Sequence, residues 1–165
     1  MILVEADLSG DWDSRTDWAA LADRAVRAAL AQSRHASLAE SDSEVSVKFT
    51  TDAEVRALNS AWRGKDKATN VLSFPMVEAE DLDRGTVPML GDVVLAAGVC
   101  RSEAEDKRIG LESHAAHLVV HGTLHLLGYD HETSEVDAEE MEETERRALA
   151  AIGIADPYAI IEEPF

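Results

Sequence analysis

The segment His121-Gly-Thr-Leu-His125-Leu-Leu-Gly128-Tyr-Asp-His131 sets three imidazoles at i, i+4 and i+10, with a glycine at i+7. On a helix, His121 and His125 lie about 6 Å apart along the axis and about 40° apart around it, so both rings can converge on one ion. Gly128 can take the left-handed conformation that ends a helix, which lets the chain return and bring His131 to the same point. Neutral imidazole suits zinc, and three protein ligands leave a tetrahedral position for water, the arrangement of a catalytic rather than a structural site. The spacing predicts a hydrolytic metal centre on His121, His125 and His131. His114 and His117 share that helical face one or two turns earlier and are expected to pack or to support the ligands.

The ligand and glycine positions match the His-Glu-x-x-His-x-x-Gly-x-x-His pattern of metzincin proteases, but Gly122 stands where those enzymes carry the glutamate that deprotonates zinc-bound water. Peptide hydrolysis is therefore the second choice. A second polar constellation lies between Asn59 and Asn70, where Arg63, Lys65 and Lys67 place three positive charges within five residues of an otherwise acidic chain. An arginine clamps a phosphoryl group through two parallel hydrogen bonds, whereas a lysine acts as a point charge. Arg63 is thus expected to act on a phosphate, with Lys65 and Lys67 largely solvated. Asp92 and Asp130 are the nearest candidates for a general base, although Asp130 equally suits the turn that presents His131.

These groups must be carried by regular elements. Residues 2–8 read as a strand, and 15–31 as a helix capped by Asp13 or Ser14, with Trp18, Leu21, Ala25 and Ala28 inward. Alternation over 43–49 makes a strand with Val45, Val47 and Phe49 on one side. A helix follows from a Thr51/Glu54 capping box, with Val55, Leu58 and Trp62 as its inner stripe and Gly64 as its stop. Val71–Phe74 is a short strand ended by Pro75, residues 76–88 an acidic loop, and 91–95 a further strand. One long helix, capped by Ser102 with Glu105, carries the metal motif and is apolar on almost every bearing, as a buried helix would be. A last helix over 135–151 buries Val136, Met141, Ala148 and Ile152, Gly153 ends it, and Tyr158 docks by its ring. The pattern is α/β or α+β, with a small mixed four-stranded sheet and four to five helices. No glycine-rich phosphate loop is present.

The 165 residues, 45% of them hydrophobic, fit one domain over 1–165. A lone cysteine, Cys100, leaves no internal disulfide partner, and neither a leader nor a membrane-spanning run is read, so a cytoplasmic protein is expected. A net charge of −18 opposes diffuse attraction to nucleic acid, which would need a local basic patch. The acidic run Ser134–Glu145 reads as a solvated helix face.

Together these pieces resemble the bacterial YbeY family of zinc-dependent endoribonucleases over most of residues 44–158. The matching segments are Leu58-Asn59, Trp62-Arg63-Gly64, Thr69-Asn70-Val-Leu-Ser-Phe-Pro75, Gly91-Asp92-Val93, the His117-to-His131 block and Asp156-Pro-Tyr158. The resemblance implies one zinc per chain on His121, His125 and His131, and a functional arginine at Arg63. It also implies single-stranded RNA as substrate, in 16S rRNA 3′-end maturation and ribosome quality control, with the ribosome or small-subunit proteins as partners. The family more often has Asp at position 70, and an amide cannot serve as a carboxylate base, so Asn70 is read as a turn residue. A ribosome-associated binding protein with structural zinc is the remaining alternative.

Overall fold

Alternating apolar residues in a strand bury one face, and in Glu44–Thr50 Val45, Val47 and Phe49 are fully buried. The computed structural model describes residues 2–78, 81–82, 89–130 and 132–158. Its sheet contains β1 (Leu3–Leu8), β2 (Glu44–Thr50), β3 (Val71–Pro75) and β4 (Met89–Ala96), in the order β1-β2-β4-β3. β1, β2 and β4 run parallel, and β3 is antiparallel to β4, so the sheet is mixed and four-stranded. Val47 pairs with Val93 and Phe49 with Leu95, which puts all four on one face. Ser73 lies beside Val93 on that same face.

Among the described residues, five helices cover the sheet: α1 (Trp18–Gln32), α2 (Asp52–Arg63), α3 (Ala97–Lys107), α4 (Leu111–Leu126) and α5 (Glu135–Ala151), with a short 3-10 turn at Ala36–Glu40. The larger apolar core joins α1, α4 and α5 to the Val47/Val93 face and includes an aromatic cluster in which Trp12 stands edge-on to Trp18 and Phe49. α2 covers the opposite face over a smaller cluster of Val55, Leu72, Val94 and Ala96. α4 is the central helix, with eleven of its residues buried. Among the described residues, no helix is long and apolar enough to cross a membrane.

Five local expectations are corrected. α1 is capped by Asp17, whose carboxylate accepts the Ala20 N–H, while Asp13 closes a turn with Arg15. The single long helix is two. Arg108 takes a left-handed conformation (φ 57°) and Ile109 N–H returns to the Ala104 carbonyl, which ends α3 before Gly110 starts α4. Ser102 consequently sits inside α3, and that helix begins where the Asp52 carboxylate accepts the N–H groups of Gly98 and Val99. Trp62 is 75% exposed instead of inward, because the cluster beneath α2 is too small to reach its last turn. Val136 is 72% exposed, since α5 turns Met141, Thr144, Glu145, Ala148 and Leu149 to the interior. Thr51 does cap α2 through Glu54 N–H, but the Glu54 carboxylate pairs with Lys48 rather than completing the box.

Candidate functional site

His121 and His125 sit on the last two turns of α4. Gly122 lies against the sheet: a Cβ there would stand 2.7 Å from Val93 Cγ1 and 3.0 Å from Ser73 Oγ, and the Ser73 hydroxyl donates to the Gly122 carbonyl at 3.1 Å. Position 122 is therefore a close crossing of helix over strand, with no room for the glutamate of a metzincin. After Leu127, Gly128 adopts φ 90°, with its N–H on the His125 carbonyl and the Tyr129 N–H on the Leu124 carbonyl. The helix stops where the glycine predicted it would. His131 and residues 79–80 and 83–88 of the acidic loop lie outside the described residues.

The imidazoles of His121 and His125 bring their Nε2 atoms to 3.1 Å. His121 turns its Nδ1 to Glu145 Oε1 at 3.1 Å, and His117 places its Nε2 on Glu145 Oε2. The Tyr158 hydroxyl donates to that same Oε2 at 2.8 Å. His117, His121 and Glu145 thus form a buried histidine–carboxylate cluster whose ligand-capable atoms lie within 4.8 Å of one another. Burial alone would raise the Glu145 carboxyl, but hydrogen bonds from His117 and His121 outweigh it and hold the group at about 2. Burial, together with the Glu145 charge, raises the Tyr158 phenol well above its ordinary value. Sequence reasoning read the 134–145 run as solvated and missed Glu145, which is 1% exposed. The available signal was its position three and four residues from Ala148 and Met141 on the inner face of α5.

An open cleft of about 660 Å³ runs along the exposed side of the histidines, and its walls include Arg63, Thr69, Asn70, Ser73, His121, His125 and Asp130. The fold brings Arg63 to the same cleft as His121 and His125, although they are far apart in sequence. Buried Asn59 shapes the approach: its Nδ2 donates to the Lys67 carbonyl and its backbone carbonyl accepts Lys65 N–H, pinning the loop after α2. Lys65 and Lys67 are exposed and are not among the residues lining the cleft. Asp130 lines it and accepts the Glu132 N–H. Asp92 pairs with Ser46 on the strand positions that alternate with Val93, so it faces away from α4 and is not brought to the histidines.

Asn70 is more than a turn residue. Its Oδ1 accepts Val71 N–H, and its Nδ2 donates to Glu103 Oε1 at 3.0 Å. The same Glu103 oxygen meets His114 Nε2 at 2.9 Å. Burial lowers the His114 imidazole below its usual range, against the opposing hydrogen bond to Glu103. His114 and His117 thus each meet a carboxylate, Glu103 and Glu145 respectively.

A mixed sheet with a histidine–carboxylate centre between its central helix and α5, open to a polar cleft with an arginine on its wall, defines a metal-dependent hydrolase. The family profile described as endoribonuclease YbeY matches residues 10–153. Curated relatives of that name include proteins from Novosphingobium aromaticivorans, 52% identical with 96% of each chain covered, and from Rhizorhabdus wittichii, 50% identical over 99% of this chain and 100% of the relative. Another, from Erythrobacter litoralis, is 53% identical, with 95% of each chain covered. The chain belongs to the YbeY endoribonuclease family. The solution structure of TM1509 from Thermotoga maritima shares the fold, with a TM-score of 0.55 at 22% identity over 97% of this chain and 100% of that one.

Proposed function

We propose that this protein is a zinc-dependent endoribonuclease that cuts single-stranded RNA during ribosomal RNA maturation, with Arg63 acting on the scissile phosphate. The observation that carries this reading is the shared cleft: Arg63, His121 and His125 line one open, polar surface in a family of endoribonucleases. His121, His125 and His131 are the proposed ligands, one ion per chain. The donor set fits, since two imidazole Nε2 atoms already converge at 3.1 Å and a buried anionic carboxylate takes the other nitrogen of His121. Outer carboxylates of this kind fix the tautomer and raise the basicity of a ligating histidine. Zinc, when bound, would polarise water and the phosphate oxygens.

The remaining work falls to the chain itself. Arg63 would hold two phosphate oxygens and stabilise charge as it develops, a donor geometry that lysine lacks. Ser73 and Gly122 lock α4 to the sheet and so fix the histidine side of the cleft relative to Arg63. A single domain over 1–165, a cytoplasmic location and contacts with the ribosome or small-subunit proteins belong to the same proposal. The close packing at Gly122 disfavours the peptidase alternative.

The test is cleavage of single-stranded RNA and of unfolded protein, each with and without chelator. Chelator-sensitive RNA cleavage is expected, and protein cleavage, or RNA binding with no cleavage, would overturn the assignment. Arg63→Ala should retain folding and zinc while losing about 10- to 1,000-fold in turnover, with Arg63→Lys also impaired. His125→Ala should lose metal.

A further inference from the structure

The chain has three tryptophans, and the fold treats them in opposite ways. Trp12 and Trp18 are 6% and 1% exposed, pack against Phe49, and donate their indole N–H groups to the carbonyls of Thr50 and Asp13. Trp62 is 75% exposed, the largest exposure of any large apolar side chain among the described residues. It stands on the last turn of α2, immediately before Arg63, which lines the cleft. Adjacent Cα atoms are about 3.8 Å apart and adjacent helical side chains diverge by about 100°, so the indole stands beside the cleft wall rather than in it.

Its surroundings are selectively positive in a chain of net charge −18. Within 62–67 the one acidic residue, Asp66, is paired with Arg56 at 2.7 and 3.0 Å. Arg63, Lys65 and Lys67 are exposed, and among the described residues no ion pair engages them. An aromatic side chain three-quarters exposed, at a helix end that leads into a local cationic loop, is the combination that binds single-stranded nucleic acid. The cations follow the phosphates, and the ring stacks on a base whatever its identity.

We propose that Trp62 is a stacking platform for one base of a single-stranded RNA, next to the phosphate held at Arg63, with Lys65 and Lys67 following the backbone outward. This rests on the proposed RNA-cleaving function and adds a subsite to it. A duplex keeps its base faces stacked within the helix, so the platform favours unpaired RNA without reading sequence.

Tryptophan emission isolates the contact, because the other two indoles are buried. Zinc-loaded protein is titrated with a short oligouridine, following emission, while anisotropy of a labelled copy reports affinity independently. Stacking is expected to quench the wild-type signal, Trp62→Phe should bind with most of the affinity but without the quench, and Trp62→Ala should bind about 5- to 150-fold more weakly. Melting temperature and zinc content should be unchanged in both variants. A self-complementary duplex should produce no quench. If wild type and Trp62→Ala bind oligouridine equally and emission does not move, the platform is wrong while the nuclease reading stands. If no variant binds the oligouridine, the RNA-directed function falls, and the platform with it.

Discussion

Replacing Glu145 by glutamine tests the histidine centre at the atom where its hydrogen bonds meet. The carboxylate is 1% exposed and accepts from His117 Nε2, His121 Nδ1 and the Tyr158 hydroxyl. A glutamine has one carbonyl oxygen and an NH₂ group in that space, so at least one of the three donors loses its acceptor. If the carbonyl stays with His117 and Tyr158, the NH₂ faces His121 Nδ1 and drives the His121 proton to Nε2, the nitrogen that meets His125. Losing an outer carboxylate typically weakens metal binding about 10- to 100-fold, or about 1.4–2.8 kcal/mol. One buried donor left without a partner costs the metal-free protein about 1–3 kcal/mol, roughly 2–12 °C in melting temperature for a chain of this size. Competition against a chromophoric chelator gives the first quantity, and thermal unfolding of chelated protein gives the second. Tyr158→Phe, which keeps the charge and removes one donor, should show smaller losses in both. Wild-type zinc affinity in Glu145→Gln would refute the reasoning. So would loss of metal in His117→Ala with retention in His125→Ala, since that pattern would make Glu145 and His117 ligands themselves.

Gly122→Ala should destabilise the fold by about 1–3 kcal/mol, because its Cβ would press into Val93 and Ser73 where α4 crosses the sheet, and equal melting temperatures would contradict the close packing. Asn70→Asp replaces a donor to Glu103 with a second carboxylate, so melting should fall at about pH 8 and largely recover at about pH 4.5 or when Glu103→Gln is added; no pH dependence would mean that the pair does not interact. Burial, with Glu103 and Asp52 nearby, pushes the Cys100 thiol up to about 12, so iodoacetamide should modify it at about pH 8 only after denaturation. Because the folded state holds that proton more tightly, its contribution to stability is complete below about pH 9 and is lost as pH rises towards 12.

Much of this protein is legible from features whose cause is local. The one-turn spacing of His121 and His125 follows from helix geometry alone, and Gly128 reveals the stop because only a left-handed residue ends the helix there. Val45, Val47 and Phe49 declare their strand by alternation, and Thr51 its helix by capping. What the sequence hides depends on which surfaces meet. Trp62 lies on the helical face of Val55, yet it is exposed because the apolar patch beneath α2 ends before it. α3 starts where Asp52, on another helix, supplies its cap, so Ser102 with Glu105 is a false signal. Gly122 looks like a missing base until Val93 and Ser73 are seen against it. Glu145 lies in an acidic run that composition assigns to solvent, and only the packing of α5 on α4 turns that one carboxylate inward to His117 and His121. Periodicity and capping act within a few residues and can be read along the chain, whereas burial and partner choice belong to faces brought together from distant segments, which only the folded structure decides.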